Sequence, residues 1–180
     1  MFPERFAPVL AELQPLADRF TAAGHRLFIV GGMVRDLLLN RFSGGDFDLT
    51  TGARPDEIKK LLSGWADAVW NQGEKFGTIG ARMGDDTVEI TTYRADKYDP
   101  ESRKPHVAFG TDLNEDLFRR DFTVNSMALR LPEKIFVDPF QGLKDLLPAS
   151  DLVEGLLNNA DRPPVKSRDI WPPCQVSRLP

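Results

Sequence analysis

Residues 26–50 read RLFIVGGMVRDLLLNRFSGGDFDLT, and this stretch decides the fold. Residues 26–30 predict a buried strand, and residues 33–40 place apolar side chains on one stripe of a helix. Two glycines, Gly31 and Gly32, lie at the junction between them. A backbone without side chains lets a ligand come close, and a helix N-terminus attracts anions. The stretch therefore predicts an α/β domain with a phosphate site at this turn.

Arg35 lies in the first turn of the predicted helix and presents a planar fork of N–H donors that suits phosphate oxygens. The segment lacks both the Gly-x-Gly-x-x-Gly spacing and the Gly-Lys-Ser/Thr ending of the common phosphate loops. It predicts either a phosphate site of another kind or a tight strand-to-helix turn with a surface arginine.

Asp46 and Asp48 follow ten residues after this motif, with Phe47 between them. Alternate side chains of a strand share a face, so the two aspartates project together while Phe47 turns into the core. Magnesium prefers oxygen ligands and takes the rest of its shell from water and substrate phosphates. The pair predicts a Mg²⁺ site for a nucleotide, and the alternative is a solvated strand edge or turn.

Composition indicates one compact globular domain. The chain has 180 residues, of which 41% are hydrophobic and 28% charged. No stretch is long and apolar enough to span a membrane, so a cytoplasmic location is expected. Cys174, the one cysteine, excludes an internal disulfide, and two histidines argue against a histidine-based metal site. A net charge of −4 does not by itself indicate RNA binding.

Periodicity and turn residues predict a mixed sheet flanked by helices. Glu89 lies on a predicted strand, where it shares a face with Thr91 and Tyr93. If that strand lies beside the one with Asp46 and Asp48, Glu89 is a candidate third metal ligand; a solvent-facing glutamate is the alternative. The other elements follow from the same patterns. Helices are predicted over about the first twenty residues and over 33–40, 55–62 and 114–129. Strands are predicted over 26–30, 46–49, 68–70, 77–83, 87–94 and 134–137, and a mobile loop is predicted over 98–110.

Several motifs in the same order resemble the class II tRNA nucleotidyltransferases, or CCA-adding enzymes, and the related bacterial poly(A) polymerases. The matching blocks lie within about residues 25–147 and are Gly31-Gly32-x-Val34-Arg35-Asp36, Asp46-x-Asp48-Leu49, Glu89-Ile90-Thr91-Thr92-Tyr93-Arg94, Ser102-Arg103-Lys104-Pro105, Arg119-Arg120-Asp121-Phe122-Thr123-Val124-Asn125 and Asp138-Pro139-Phe140-Gln141-Gly142-Leu143-Lys144-Asp145-Leu146. The resemblance implies a polymerase-β-like head that transfers CMP and AMP from CTP and ATP to the 3′ end of tRNA.

The resemblance also implies roles for individual residues. Asp46 and Asp48 would be the catalytic, Mg²⁺-binding carboxylates of a two-metal phosphoryl transfer, with Glu89 as a further ligand. The residues implied to bind the nucleotide are Gly31, Gly32, Arg35, Arg120, Asp121 and Asn125. Guanidinium groups suit the triphosphate, while an acid and an amide can bond the ribose hydroxyls.

Residues 148–180 depart from the family pattern. They hold six of the 14 prolines and little helical periodicity, so the sequence predicts a catalytic head over 1–147 and a proline-rich, disordered or non-native tail over 148–180. The family's helical neck, with its Glu-Asp-x-x-Arg-type base-recognition motif, and its body and tail are not recognised in this tail. Three activities therefore stay open: CCA addition, poly(A) synthesis, and nucleotide binding without catalysis.

Overall fold

The computed structural model describes residues 4–42, 44–71, 73–97 and 106–146. Its helices are α1 (Ala7–Ala22), α2 (Gly32–Leu38), α3 (Pro55–Leu62), α4 (Leu113–Phe118) and α5 (Gly142–Leu146). Its strands are β1 (Leu27–Val30), β2 (Asp46–Thr51), β3 (Ala68–Trp70), β4 (Thr78–Met83), β5 (Asp86–Thr92), β6 (Arg94–Lys97), β7 (His106–Phe109), β8 (Ala128–Leu131) and β9 (Ile135–Val137). Short 3₁₀ turns are Glu4–Phe6, Glu74–Phe76 and Thr123–Asn125.

Seven strands form one mixed sheet in the order β3-β4-β5-β2-β1-β8-β9, and β6 pairs with β7 in a separate ribbon. Strands β2 and β5 are parallel, and the other neighbours are antiparallel. The predicted mixed sheet flanked by helices is confirmed. This order puts β2 in the middle of the sheet, with β1 on one side and β5 on the other.

The two faces of the sheet have different coverings. Phe47 and Leu49 point to the face that packs on the main core, where α1 contributes a buried helical stripe. That stripe consists of Val9, Leu10, Leu13, Leu16, Ala17 and Phe20. Burying each large apolar side chain stabilises the fold by about 1.5–3 kcal/mol. The opposite face, which carries Asp46 and Asp48, is here called the cleft face; a smaller cluster including Leu117 of α4 covers its β1 and β8 part.

The predicted helix over 114–129 is wrong beyond its first turns. Helix α4 begins after Asp112, whose side chain accepts the Asn114 N–H at 2.7 Å, and it ends at Phe118. Leu129 lies instead in β8, opposite Ile29 of β1. The residues around Leu129 favour a helix locally, but they form a strand because β8 is buried between β1 and β9. Tertiary packing here overrides the local propensity.

Two other predictions need correction. The predicted strand over 87–94 is two strands, because β5 ends at Thr92 and Arg94 begins β6. The predicted loop over 98–110 contains β7, which pairs with β6, while 98–105 lie outside the described residues. Strand β8 and helix α5 were not predicted. The proposed tail, 148–180, also lies outside the described part of the chain, in which no helix is long and apolar enough to cross a membrane.

Candidate functional site: a carboxylate pair beside a glycine turn

Strand β2 presents Asp46 and Asp48 on the cleft face. Both aspartates are exposed, whereas Phe47 and Leu49 between and after them are 2% and 1% exposed. The buried pair fixes the direction of the exposed pair, because a strand cannot turn one residue without turning its neighbours. No hydrogen bond joins either aspartate to another of the described residues, so their oxygens face outward for other ligands.

Glu89 lies on the next strand, directly beside Asp48. The parallel pairing of β2 and β5 aligns these two residues, so both side chains lie on the cleft face. Glu89 is exposed. Within the described ranges, no group of three His, Cys, Asp or Glu residues is arranged to hold a metal ion. Two aspartates with a glutamate on the neighbouring strand are nevertheless a suitable donor set for a hard cation that also takes phosphate and water ligands.

The surroundings of Asp48 disfavour its charge. Although Asp48 is exposed on the cleft face, the protein around its carboxyl displaces part of the solvating water, and this desolvation raises its pKa above the ordinary value. The positive charge of Arg120 lowers this pKa, and the negative charge of Asp46 raises it. The net shift is upward, so the ionised carboxylate is held at a cost in the folded chain. A bound cation would remove that cost, because it favours the ionised form.

Arg120 packs over Gly31. The backbone of Gly31 has φ 71° and ψ −142°, a region open mainly to glycine. A Cβ at this position would lie 2.8 Å from Nη1 of Arg120. Gly31 is therefore required twice, once for the conformation of the turn and once for the space that the guanidinium occupies.

Asp116 anchors this arginine, and its role was missed in the sequence. Asp116 is 2% exposed, and its Oδ2 accepts a hydrogen bond from Nη2 of Arg120 at 3.4 Å. Its Oδ1 accepts the backbone N–H of Arg94 at 3.0 Å. The Nε atom of Arg120 is buried and has no hydrogen-bond partner within the described residues. The signal in the sequence was an acid four residues before an arginine, a spacing that brings the two together on a helix.

The guanidinium of Arg35, which was predicted to bind phosphate, forms hydrogen bonds with Asp36 and Asn125 in the structure. Its Nε and Nη2 donate to the two carboxylate oxygens of Asp36 at 2.9 and 3.0 Å, and its Nη1 donates to Oδ1 of Asn125 at 2.8 Å. The hydrogen bond to Asp36 raises the pKa of Arg35. Arg35 thus ties α2 to the Thr123–Asn125 turn. Of the predicted nucleotide-binding residues, Gly31 meets Arg120 and Arg35 meets Asn125, while Asp121 is exposed without a hydrogen bond to another described residue.

Comparison with known proteins agrees with this architecture. A family model described as "Poly A polymerase head domain" matches residues 27–149. The CCA-adding enzyme of Lactobacillus helveticus is 42% identical over 145 residues, which cover 80% of this chain and 34% of the relative. The solved CCA-adding enzyme of Bacillus stearothermophilus in complex with CTP superposes with a TM-score of 0.63 at 30% identity, covering 81% of this chain and 32% of that one.

A solved tRNA nucleotidyltransferase, complexed with a primer tRNA and an incoming ATP analog, has a TM-score of 0.58 at 33% identity, covering 73% of this chain and 36% of that one. The fold is therefore that of a polymerase-β-like nucleotidyltransferase head. The chain belongs to the poly(A) polymerase head-domain family, whose nucleotidyltransferases generally use divalent metal ions. It spans about a third of the length of the curated relatives it matches.

Proposed function

We propose that this chain is the catalytic head of a tRNA nucleotidyltransferase that adds CMP and AMP, from CTP and ATP, to the 3′ end of tRNA. The observation that carries the proposal is the outward-facing Asp46–Asp48 pair beside an arginine that packs over the glycine turn. The names of the relatives support the acceptor and the two donors. These substrates make the cytoplasm the proposed location.

Asp46 and Asp48 are the residues proposed to hold Mg²⁺, with Glu89 as a further ligand or as a partner of bound water. Mg²⁺ when bound supplies charge neutralisation at the α-phosphate and pyrophosphate and increases the acidity of the attacking 3′-hydroxyl. The raised pKa of Asp48 fits this task, because a carboxylate held at a cost gains by binding a cation.

Arg120 is proposed to bind the triphosphate. Its guanidinium is partly buried and is oriented by Asp116, so little side-chain freedom remains to be lost on binding. A planar fork bonds two phosphate oxygens at once, which an ammonium group cannot do. Gly31 leaves space for Arg120, and Gly32 leaves space for Arg35. Arg35 donates to Asn125, and Asn125 with Asp121 is proposed to bond the ribose hydroxyls.

Poly(A) synthesis is the second candidate, because the matching family model carries that activity in its description. The two activities differ in product: CCA addition stops after three nucleotides on a tRNA, whereas poly(A) synthesis adds many A residues to RNA of other shapes. Nucleotide binding without turnover is the third candidate, and it differs from the other two in yielding no elongated RNA.

The test is Mg²⁺-dependent binding and transfer of labelled CTP and ATP, with tRNA lacking its CCA end as acceptor. Asp48→Asn should reduce transfer by at least about 100-fold and abolish Mg²⁺-dependent nucleotide binding, because one carboxylate of the pair is lost. Asp85→Asn is the matched control, since Asp85 is an exposed aspartate in the turn between β4 and β5. Equal activity of both variants would refute the metal site, and binding without transfer by the unaltered chain would favour the third candidate.

A further inference from the structure

A cavity of about 350 Å³ lies on the cleft face over β3, β4 and β5. Its walls include Trp70, Phe76, Thr78 and Arg94, and Glu89 lies at the end nearest β2. This volume is within the range of small-molecule binding sites. Apart from Glu89, only Arg94 contacts the nucleotide site described above, through its backbone N–H to Asp116.

The register of the sheet connects this cavity to the carboxylate pair. Trp70 pairs with Gly80, Gly80 with Glu89, and Glu89 with Asp48, so the four residues form one row across β3, β4, β5 and β2. All four therefore lie on the cleft face. Neighbouring strands are about 4.8 Å apart, so the row spans about 14 Å from Trp70 to Asp48.

The walls combine aromatic and basic groups. The Trp70 indole occupies the space where a side chain at Gly80 would be, so Gly80 is needed for the ring to lie in the cavity. Phe76 is 47% exposed, and Nζ of Lys75 lies 4.9 Å from the centroid of its ring, so an open part of the ring and a positive charge stand together. Aromatic rings of this kind are the surfaces on which unpaired bases stack.

Arg94 supplies the positive charge. Its Nη2 donates to Oγ1 of Thr78 at 3.0 Å, and its Nε is buried with no hydrogen-bond partner within the described ranges. Burial lowers the pKa of Arg94, and the nearby charge of Arg119 lowers it further, against the opposing effect of Asp116. A desolvated guanidinium beside other cations is a good site for an anion, because a negative charge offsets the repulsion among them.

The geometry of phosphoryl transfer indicates the side from which the acceptor hydroxyl reaches the phosphate. The attacking and leaving oxygens lie roughly in line on opposite sides of the phosphorus. Gly31 and Arg120, proposed to bind the triphosphate, lie on the β1 side of β2. The cavity lies on the β5 side. An acceptor that attacks over Asp46 and Asp48 must therefore come from the side of the cavity.

We propose that this cavity binds the 3′-terminal nucleotide of the acceptor RNA, with its base on Phe76, its phosphate on Arg94 and its hydroxyl toward Glu89. The proposal rests on the proposed function and deepens it, because it names the residues that hold the acceptor. A hydroxyl donates to a carboxylate and a phosphate accepts from a guanidinium, so the two ends of the cavity suit the two ends of a nucleotide.

The test uses the 180-residue chain and a short RNA hairpin with a single-stranded 3′ end, labelled with a fluorophore at its 5′ end. Phe76→Ala should weaken RNA binding, measured by fluorescence anisotropy, about tenfold through the loss of one stacked base. The affinity for CTP with Mg²⁺ should stay unchanged. Ile135→Ala is the matched control: its side chain is 45% exposed, and β9 is the opposite edge of the same sheet.

A second measurement locates the RNA end directly. A hairpin with 4-thiouridine as its last nucleotide should crosslink on irradiation to residues 68–80, and Phe76→Ala should reduce that crosslink. A crosslink to residues 113–131 instead, unchanged RNA affinity in Phe76→Ala, or no RNA binding by the unaltered chain would overturn the proposal. So would weaker CTP binding with unchanged RNA binding, because the cavity would then hold the incoming nucleotide. The CTP titration of the unaltered chain tests the proposed function separately.

Discussion

Replacing Gly31 by alanine should damage both the stability of the chain and its nucleotide site. A non-glycine residue held in a sparsely populated backbone region costs about 1–3 kcal/mol. For a domain of this size, that loss corresponds to a decrease in thermal midpoint of roughly 2–12 °C. The added Cβ would also lie 2.8 Å from Nη1 of Arg120, so the guanidinium must move away from the turn.

The second effect is the more informative, because the overlap is with a guanidinium group proposed to bind the nucleotide. Moving Arg120 relieves the overlap, but it disturbs the hydrogen bond to Asp116 and removes the proposed contact with the triphosphate. Loss of a charge-assisted hydrogen bond of about 1.5–3 kcal/mol corresponds to roughly a 10- to 150-fold loss in CTP affinity. Thermal denaturation measures the first effect, and titration with CTP in the presence of Mg²⁺ measures the second.

Gly64→Ala is the control that separates strain from displacement. Gly64 has the same φ of 71°, but no atom lies within 4 Å of its added Cβ. This variant should lose about 1–2 kcal/mol of stability and keep its CTP affinity. If Gly31→Ala bound CTP as tightly as Gly64→Ala, the placement of Arg120 at the phosphate site would be refuted.

Two further predictions follow from single side chains. Arg120→Lys should reduce CTP and ATP affinity about tenfold, because an ammonium group cannot bond two phosphate oxygens at once as a guanidinium does. Titration with each nucleotide measures this effect, and unchanged affinity for both would contradict the prediction. Glu12→Gln should raise the stability of the chain at pH 8 but not at pH 4. Burial is the main cause that raises the pKa of Glu12 from 4.5 to about 7, and a hydrogen bond with Asp86 and the negative charge of Asp86 raise it further. A carboxyl with a raised folded-state pKa contributes its stability below the unfolded value and loses it as pH rises through about 7. The thermal midpoint of the variant should therefore exceed that of the unaltered chain at pH 8 and equal it at pH 4. An equal increase in thermal midpoint at both pH values would contradict the raised pKa of Glu12.

The local parts of the molecule could be predicted from sequence. The β1 strand, the glycine turn and α2 were predicted to within two residues, because each depends on a period of apolar residues and on the conformational freedom of glycine. The outward direction of Asp46 and Asp48 was predicted for the same reason. Alternation along a strand is a local property, and the buried Phe47 confirms it.

The tertiary structure alone decided what lies beside these elements. Leu129 lies in a strand because it pairs with the buried Ile29 of β1, although the residues next to it in the sequence favour a helix. Arg35 and Asn125 are 90 residues apart in the chain and meet only because α2 packs against the Thr123–Asn125 turn.

The neighbours of the carboxylate pair were decided in the same way. Glu89 stands next to Asp48 because β2 and β5 pair in one register, and a shift of one residue would turn it to the other face. Asp116 became the anchor of Arg120 because Leu117 beside it is buried against β1 and β8, which draws α4 onto the cleft face. Periodicity specifies which side of an element is buried, whereas register and packing between distant elements depend on the free energy of the whole core, which no local pattern contains.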